Sequence, residues 1–110
     1  MIYINNESDI LVGDVAMQDV LNALFLYKAG TIRIDNAIDE CALTACTLVE
    51  EKAIYDAAIL TGVLTDAVGA DSASIAGVTI DVGDSVIGGN TQQDAAASKV
   101  LALVFTVTMQ

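Results

Sequence analysis

Apolar and polar positions along the chain fall first into short alternations and then into long stripes. Ile2 and Ile4 alternate with Tyr3, which is the period of a strand. Asn5–Asp9 is a run of turn formers, and Ile10-Leu11-Val12 is a second short apolar run closed by Gly13. Together these two runs predict a hairpin. Asp14 then stands as an N-cap, Val15, Val20, Leu21, Leu24 and Phe25 recur at helical spacing, and Gly30 takes the place of a C′ glycine. This predicts a helix over 14–29. Thr31-Ile32-Arg33-Ile34 alternates again and reads as a strand.

The longest stripe follows. Ile38, Cys41, Ala42, Ala45, Leu48, Val49, Lys52, Ala53, Ile59, Leu60, Val63, Leu64 and Ala67 recur in steps of three and four, capped by Asp35 or Asn36 and closed by Gly69. They predict one long central helix over 36–69, with Gly62 as the place for a kink. A second stripe on the same helix, Leu43, Cys46, Ile54 and Ala58, gives it two apolar faces and predicts burial on both sides.

Asp71–Ser74 reads as a loop, and 75–82 and 85–87 flank Gly83-Asp84 as a hairpin. Gly88-Gly89-Asn90 is a turn. Thr91-Gln92-Gln93-Asp94 resembles a capping box opening a short helix to Lys99. The end alternates, with Leu101, Leu103, Phe105, Val107 and Met109 on one face of a C-terminal strand. The expected fold class is α+β in a single domain over 1–110: a long central helix, a shorter helix and short antiparallel strands.

Composition narrows the function classes. Of 110 residues, 55 % are apolar and 17 % charged, and the net charge is −11, with no His, Trp or Pro. Disorder requires low hydrophobicity and is excluded. Lys28, Arg33, Lys52 and Lys99 are too few and scattered for a nucleic-acid face. Without His, the Ser-His-Asp and Cys-His systems and most zinc sites are removed. Met1–Glu7 has neither a basic n-region nor a long apolar stretch, so no secretory signal is expected. Asp56 and Asp66 interrupt the most apolar stretch, so no membrane span is expected.

Cys41 and Cys46, five apart on the predicted long helix, would have Cα atoms about 8–9 Å apart, beyond the ~7 Å that a disulfide spans. The expectation is therefore two reduced, buried thiols. Asp39/Glu40 and Glu50/Glu51 splay apart as helical neighbours and form no acid–base dyad. No cofactor is expected. Asp81-Val82-Gly83-Asp84-Ser85 offers two carboxylates around a glycine, which makes Asp81 and Asp84 the candidate calcium ligands, although the segment lacks the regular spacing of a calcium loop.

Residues Asp56–Lys99 run as predicted helix, Ser72-Ala73-Ser74, then Ala76-Gly77-Val78-Thr79-Ile80-Asp81-Val82-Gly83-Asp84-Ser85, a turn and a polar Ala-rich helix. This layout resembles the small virion proteins of tailed bacteriophages, in particular head–tail connector or adaptor subunits; a capsid decoration or tail subunit would account for the strands as well. The resemblance implies a non-enzymatic ring or lattice subunit, placed in the virion or in the host cytoplasm during assembly. Its partners would be itself and other structural proteins. The surplus of aliphatic side chains independently points to assembly. Leu43, Cys46 and Ile54 on the second stripe, with Leu101, Leu103, Phe105 and Val107 on the terminal strand, are the expected interface. The alternative is a small acidic protein-binding or regulatory module, with or without calcium.

Overall fold

The structure is a computed structural model that describes residues 1–41, 45–84 and 89–110. Among the described residues ten strands and one helix follow in chain order: β1 (Ile2–Asn5), β2 (Val12–Val15), β3 (Met17–Val20), β4 (Phe25–Tyr27), β5 (Arg33–Ile38), α1 (Leu48–Ala58), β6 (Ala73–Ala76), β7 (Thr79–Val82), β8 (Gln93–Ala95), β9 (Val100–Val104) and β10 (Val107–Met109). Strands hold 39 % of the described residues in four small antiparallel sheets. The long central helix and the shorter helix expected from the stripes are not there.

The centre is the sheet β1-β9-β5. Val100–Val104 is buried on both faces, so an unbroken apolar run reads here as a central strand covered on two sides. On one face Val100, Ala102 and Val104 meet Ile54 and Ala58 of α1, with Ile38, Tyr3 and Cys46 around them. On the other face Leu103, with Ile2 and Ile34, packs against Ala73, Ile80 and Val82 of the second three-stranded sheet, β3-β7-β6. Helix, sheet and sheet thus form three layers. Two ribbons, β2-β8 and β4-β10, complete the molecule.

Each correction to the expected elements has a local cause. Over 14–29, Asp14 is no N-cap: it sits at φ 57° where the β2–β8 register shifts. Met17 and Asp19 then alternate with the exposed Val20, and Asn22 reverses the chain, its Oδ1 accepting from Leu24 N and its carbonyl from Phe25 N. A chain turned at 22–25 cannot continue a helix, and Phe25–Tyr27 pairs instead with Val107–Met109.

Over 36–69, the stripe joins two unrelated elements. Its start is the pleat of β5. Only Leu48–Ala58 is helical, opened by the capping box Thr47/Glu50, in which Glu50 N donates to Thr47 Oγ1 and Thr47 N to Glu50 Oε1. The helix tightens and stops as Leu60 N turns to Ala57 O and Thr61 N to Ala58 O. Its faces are also the reverse of what the stripes suggested. The second stripe's Ile54 and Ala58 are fully buried on the sheet, while Leu48, Val49 and Leu60 of the main stripe are 85 %, 81 % and 86 % exposed.

The segment 91–99 forms β8 and a turn rather than a helix, so the helix–hairpin–helix layout loses its second helix. The hairpin is β6–β7, reversing at Gly77 with φ 61°, and the expected return strand 85–87 lies outside the described residues. The N-terminal runs do not pair with each other; β1 joins β9 and β2 joins β8. The C-terminal strand is two strands, broken at Phe105-Thr106.

Cys41 and Cys46 form a disulfide, with Cα atoms 5.7 Å apart. The expectation of free thiols assumed a helix through both; here Cys41 adopts φ 53°, beyond the end of β5, and Cys46 precedes the helix cap. Asn5 Nδ2 donates to Cys41 O at 2.7 Å and ties this corner to β1.

Candidate interaction surfaces

Among the described residues the β4–β10 ribbon is the most apolar exposed strand pair. Its register places Tyr27 opposite Val107, Leu26 opposite Thr108 and Phe25 opposite Met109. Tyr27 reaches the sandwich core, whereas Phe25 and Met109, further along the same face, are 39 % and 77 % exposed. Leu26 is exposed on the opposite face and Leu24 at the ribbon's end. Residues 20–27 and 100–110 contain no charged side chain, in a chain of net charge −11.

Two devices fix the ribbon to the body. The Tyr27 phenol donates to Asp66 Oδ1 at 2.5 Å, and Gly30 N donates to Asp66 Oδ2 at 3.0 Å. Desolvation, and then the bond to Asp66, raise the Tyr27 pKa above its ordinary value. The Thr31 hydroxyl stands between the strands at their base: Thr106 N donates to Thr31 Oγ1, which donates to Lys28 O.

Beside the ribbon a groove of about 350 Å³ runs between Arg33, Tyr55, Ile59 and Phe105. Arg33 Nη1 donates to the carbonyls of Ile59 and Thr61, so the guanidinium caps the C-terminus of α1, whose own last turn has no basic residue. A second, shallower depression lies over Tyr3, Asn5, Glu7 and Cys46. Desolvation and the Glu51 carboxylate raise the Tyr3 pKa.

Polar side chains also meet inside the molecule. Ser74 and Asp81 face each other across β6–β7 and are fully buried. Asn90 Nδ2 lies 3.0 Å from Ser74 Oγ and 3.4 Å from Asp81 Oδ2, and Asn90 Oδ1 accepts from Gly69 N at 2.9 Å. With Ser74 and Asp81 closed to solvent, this row specifies how the 89–95 segment lies on the sheet; it does not present a reacting group to a substrate.

The expected calcium pair is split by this arrangement: Asp81 turns inward to Asn90, and Asp84 is exposed past Gly83. Among the described residues no three His, Cys, Asp or Glu gather as a metal site. Of the expected interface residues, Ile54, Leu101 and Leu103 are buried within the chain itself and Cys46 is in the disulfide. Phe105 and Val107 are half-buried, and Leu43 lies outside the described residues. A helical reading of 14–29 hides the ribbon's Leu24, Phe25 and Leu26; the absence of charge over 20–27 is the signal that could have found them. Among the described residues no helix is long and apolar enough to cross a membrane. Compared with family models, curated proteins and solved structures, the chain matches none.

Proposed function

We propose that the protein is a non-enzymatic structural subunit that works by associating with further copies of itself. The observation that carries this reading is the uncharged apolar ribbon, with Leu24, Phe25, Leu26 and Met109 open to solvent on a strongly acidic chain. Exposed apolar groups gathered in one place favour association, while a surface of one sign discourages contact everywhere else. A virion assembly of the connector, decoration or tail kind is proposed as its setting from the sequence alone; of the layout behind it, the structure ends the first helix at Ala58, turns the hairpin at Gly77 and not at Gly83-Asp84, and lacks the second helix. The proposal therefore rests on the ribbon. Native mass spectrometry in a volatile buffer tests it: discrete multiples of the 11.4 kDa chain are expected, and a monomer at every concentration would return the reading to an acidic binding module.

A further inference from the structure

Strand β10 has β4 as its hydrogen-bonded neighbour and a second edge turned away from it. Lys28 N donates to Thr106 O and Gln110 N to Leu24 O, both at 2.9 Å. In an antiparallel pair such bonds fall on alternate residues. Thr106, Thr108 and Gln110 therefore turn their main chain toward β4, and Val107 and Met109 turn theirs outward.

Resting on the self-association proposed above, we infer that the β10 edge pairs with the β10 edge of a second copy, antiparallel about a two-fold axis at Thr108. In that register Val107 faces Met109 of the second copy and Met109 faces its Val107. Both members of each facing pair offer outward N–H and C=O groups, so they satisfy one another reciprocally. The result is one continuous sheet in the order β4-β10-β10-β4. Val107, Met109 and Phe25 lie on one face of each ribbon, and pairing joins them with their counterparts into a single apolar strip. Charge selects the same place. The chain carries −11, yet residues 100–110 and 20–27 carry no charged side chain, so two copies meet here without opposing like charges at the contact. Short and two-stranded, β4 and β10 carry within their own spans neither the lysine nor the proline with which exposed edges are usually protected, and Lys28 stands one residue past β4.

Cross-linking tests the register. In the inferred dimer the two Thr108 residues face each other at a non-hydrogen-bonded position, where Cα atoms stand about 4.5 Å apart, close enough for a disulfide. Thr108→Cys should give a covalent dimer under mild oxidation, and Thr106→Cys, which faces Gln110 of the second copy, should give about tenfold less. Met109→Pro removes an outward N–H that the monomer does not use for β4. It should weaken dimerisation about tenfold while circular dichroism stays unchanged. If Met109→Pro is unfolded, the ratio of cross-linking yields between Thr108→Cys and Thr106→Cys alone decides. A protein that associates but cross-links no better through 108 than through 106 overturns the β10 pairing and leaves self-association through another surface. A wild-type chain that does not associate overturns both.

Discussion

The phenol of Tyr27 and the carboxylate of Asp66 share a 2.5 Å hydrogen bond that fastens the β4–β10 ribbon to the loop following the helix. Asp66 also receives Gly30 N, so a single carboxylate holds both the side chain and the main chain at the base of the ribbon.

Tyr27→Phe should therefore lower stability by about 1.5–3 kcal/mol, the range for a hydrogen bond to a charged partner. Its pH dependence has a definite sign. The folded chain holds the Tyr27 proton more tightly than the unfolded chain, whose phenol titrates near 10.0. The contribution is complete below that pH and is lost as pH climbs through the raised folded value. Thermal melts from about pH 8 to about pH 11 should show the gap between wild type and Tyr27→Phe narrowing at the alkaline end. A gap that stays constant would contradict the assignment.

Arg33 supplies from β5 the positive charge that α1 lacks at its own C-terminus. Arg33→Leu should cost about 1–2 kcal/mol in urea denaturation, because two terminal carbonyls lose their donor beside the negative end of the dipole. Arg33→Lys should recover part of the loss, since an ammonium keeps the charge and gives up the planar fork. Equal midpoints for all three proteins would show that the cap contributes nothing.

Reducing Cys41–Cys46 reopens a loop of sequence separation 5 just before the helix cap. Loop-closure entropy for so short a loop is about 2 kcal/mol. Dithiothreitol should lower the urea midpoint accordingly, and the Cys41→Ser/Cys46→Ser double variant should match the reduced protein. The association state should not change, since the ribbon carries neither cysteine.

Several features are legible in the sequence because they depend on local chemistry. Val100–Val104 is visible as a strand and β1 as an alternation, whereas the expected hairpin turns at Gly83-Asp84 and the observed turn at Gly77 falls inside the expected strand 75–82. The periodicity predicts one long helix because Ile38 on β5 happens to lie in phase with the apolar residues of α1, and period counting cannot detect the break between them. The signal that could have placed the break is Thr47-Leu48-Val49-Glu50, a capping box inside the presumed helix. The inversion of the helix faces has no such signal. Leu48, Val49 and Leu60 are larger as a set than Ile54 and Ala58, yet the small Ala58 lets α1 lie close on Val100 and Ala102. The sequence pattern puts the association surface on Leu101 and Leu103 because it shows the terminal strand as open on one side, whereas β1 and β5 flank β9 and the second sheet covers it.

The most direct measurement is sedimentation velocity on the wild type, Met109→Glu and Leu60→Glu. Met109 and Leu60 are both highly exposed, at 77 % and 86 %, and each substitution adds the same charge, one on the ribbon and the other past the end of the helix. Wild type and Leu60→Glu should sediment as the same oligomer at about 100 μM, and Met109→Glu as a folded monomer. A monomeric wild type, or a Met109→Glu protein that sediments with it as the same oligomer, would contradict the claim that this ribbon joins one copy to the next.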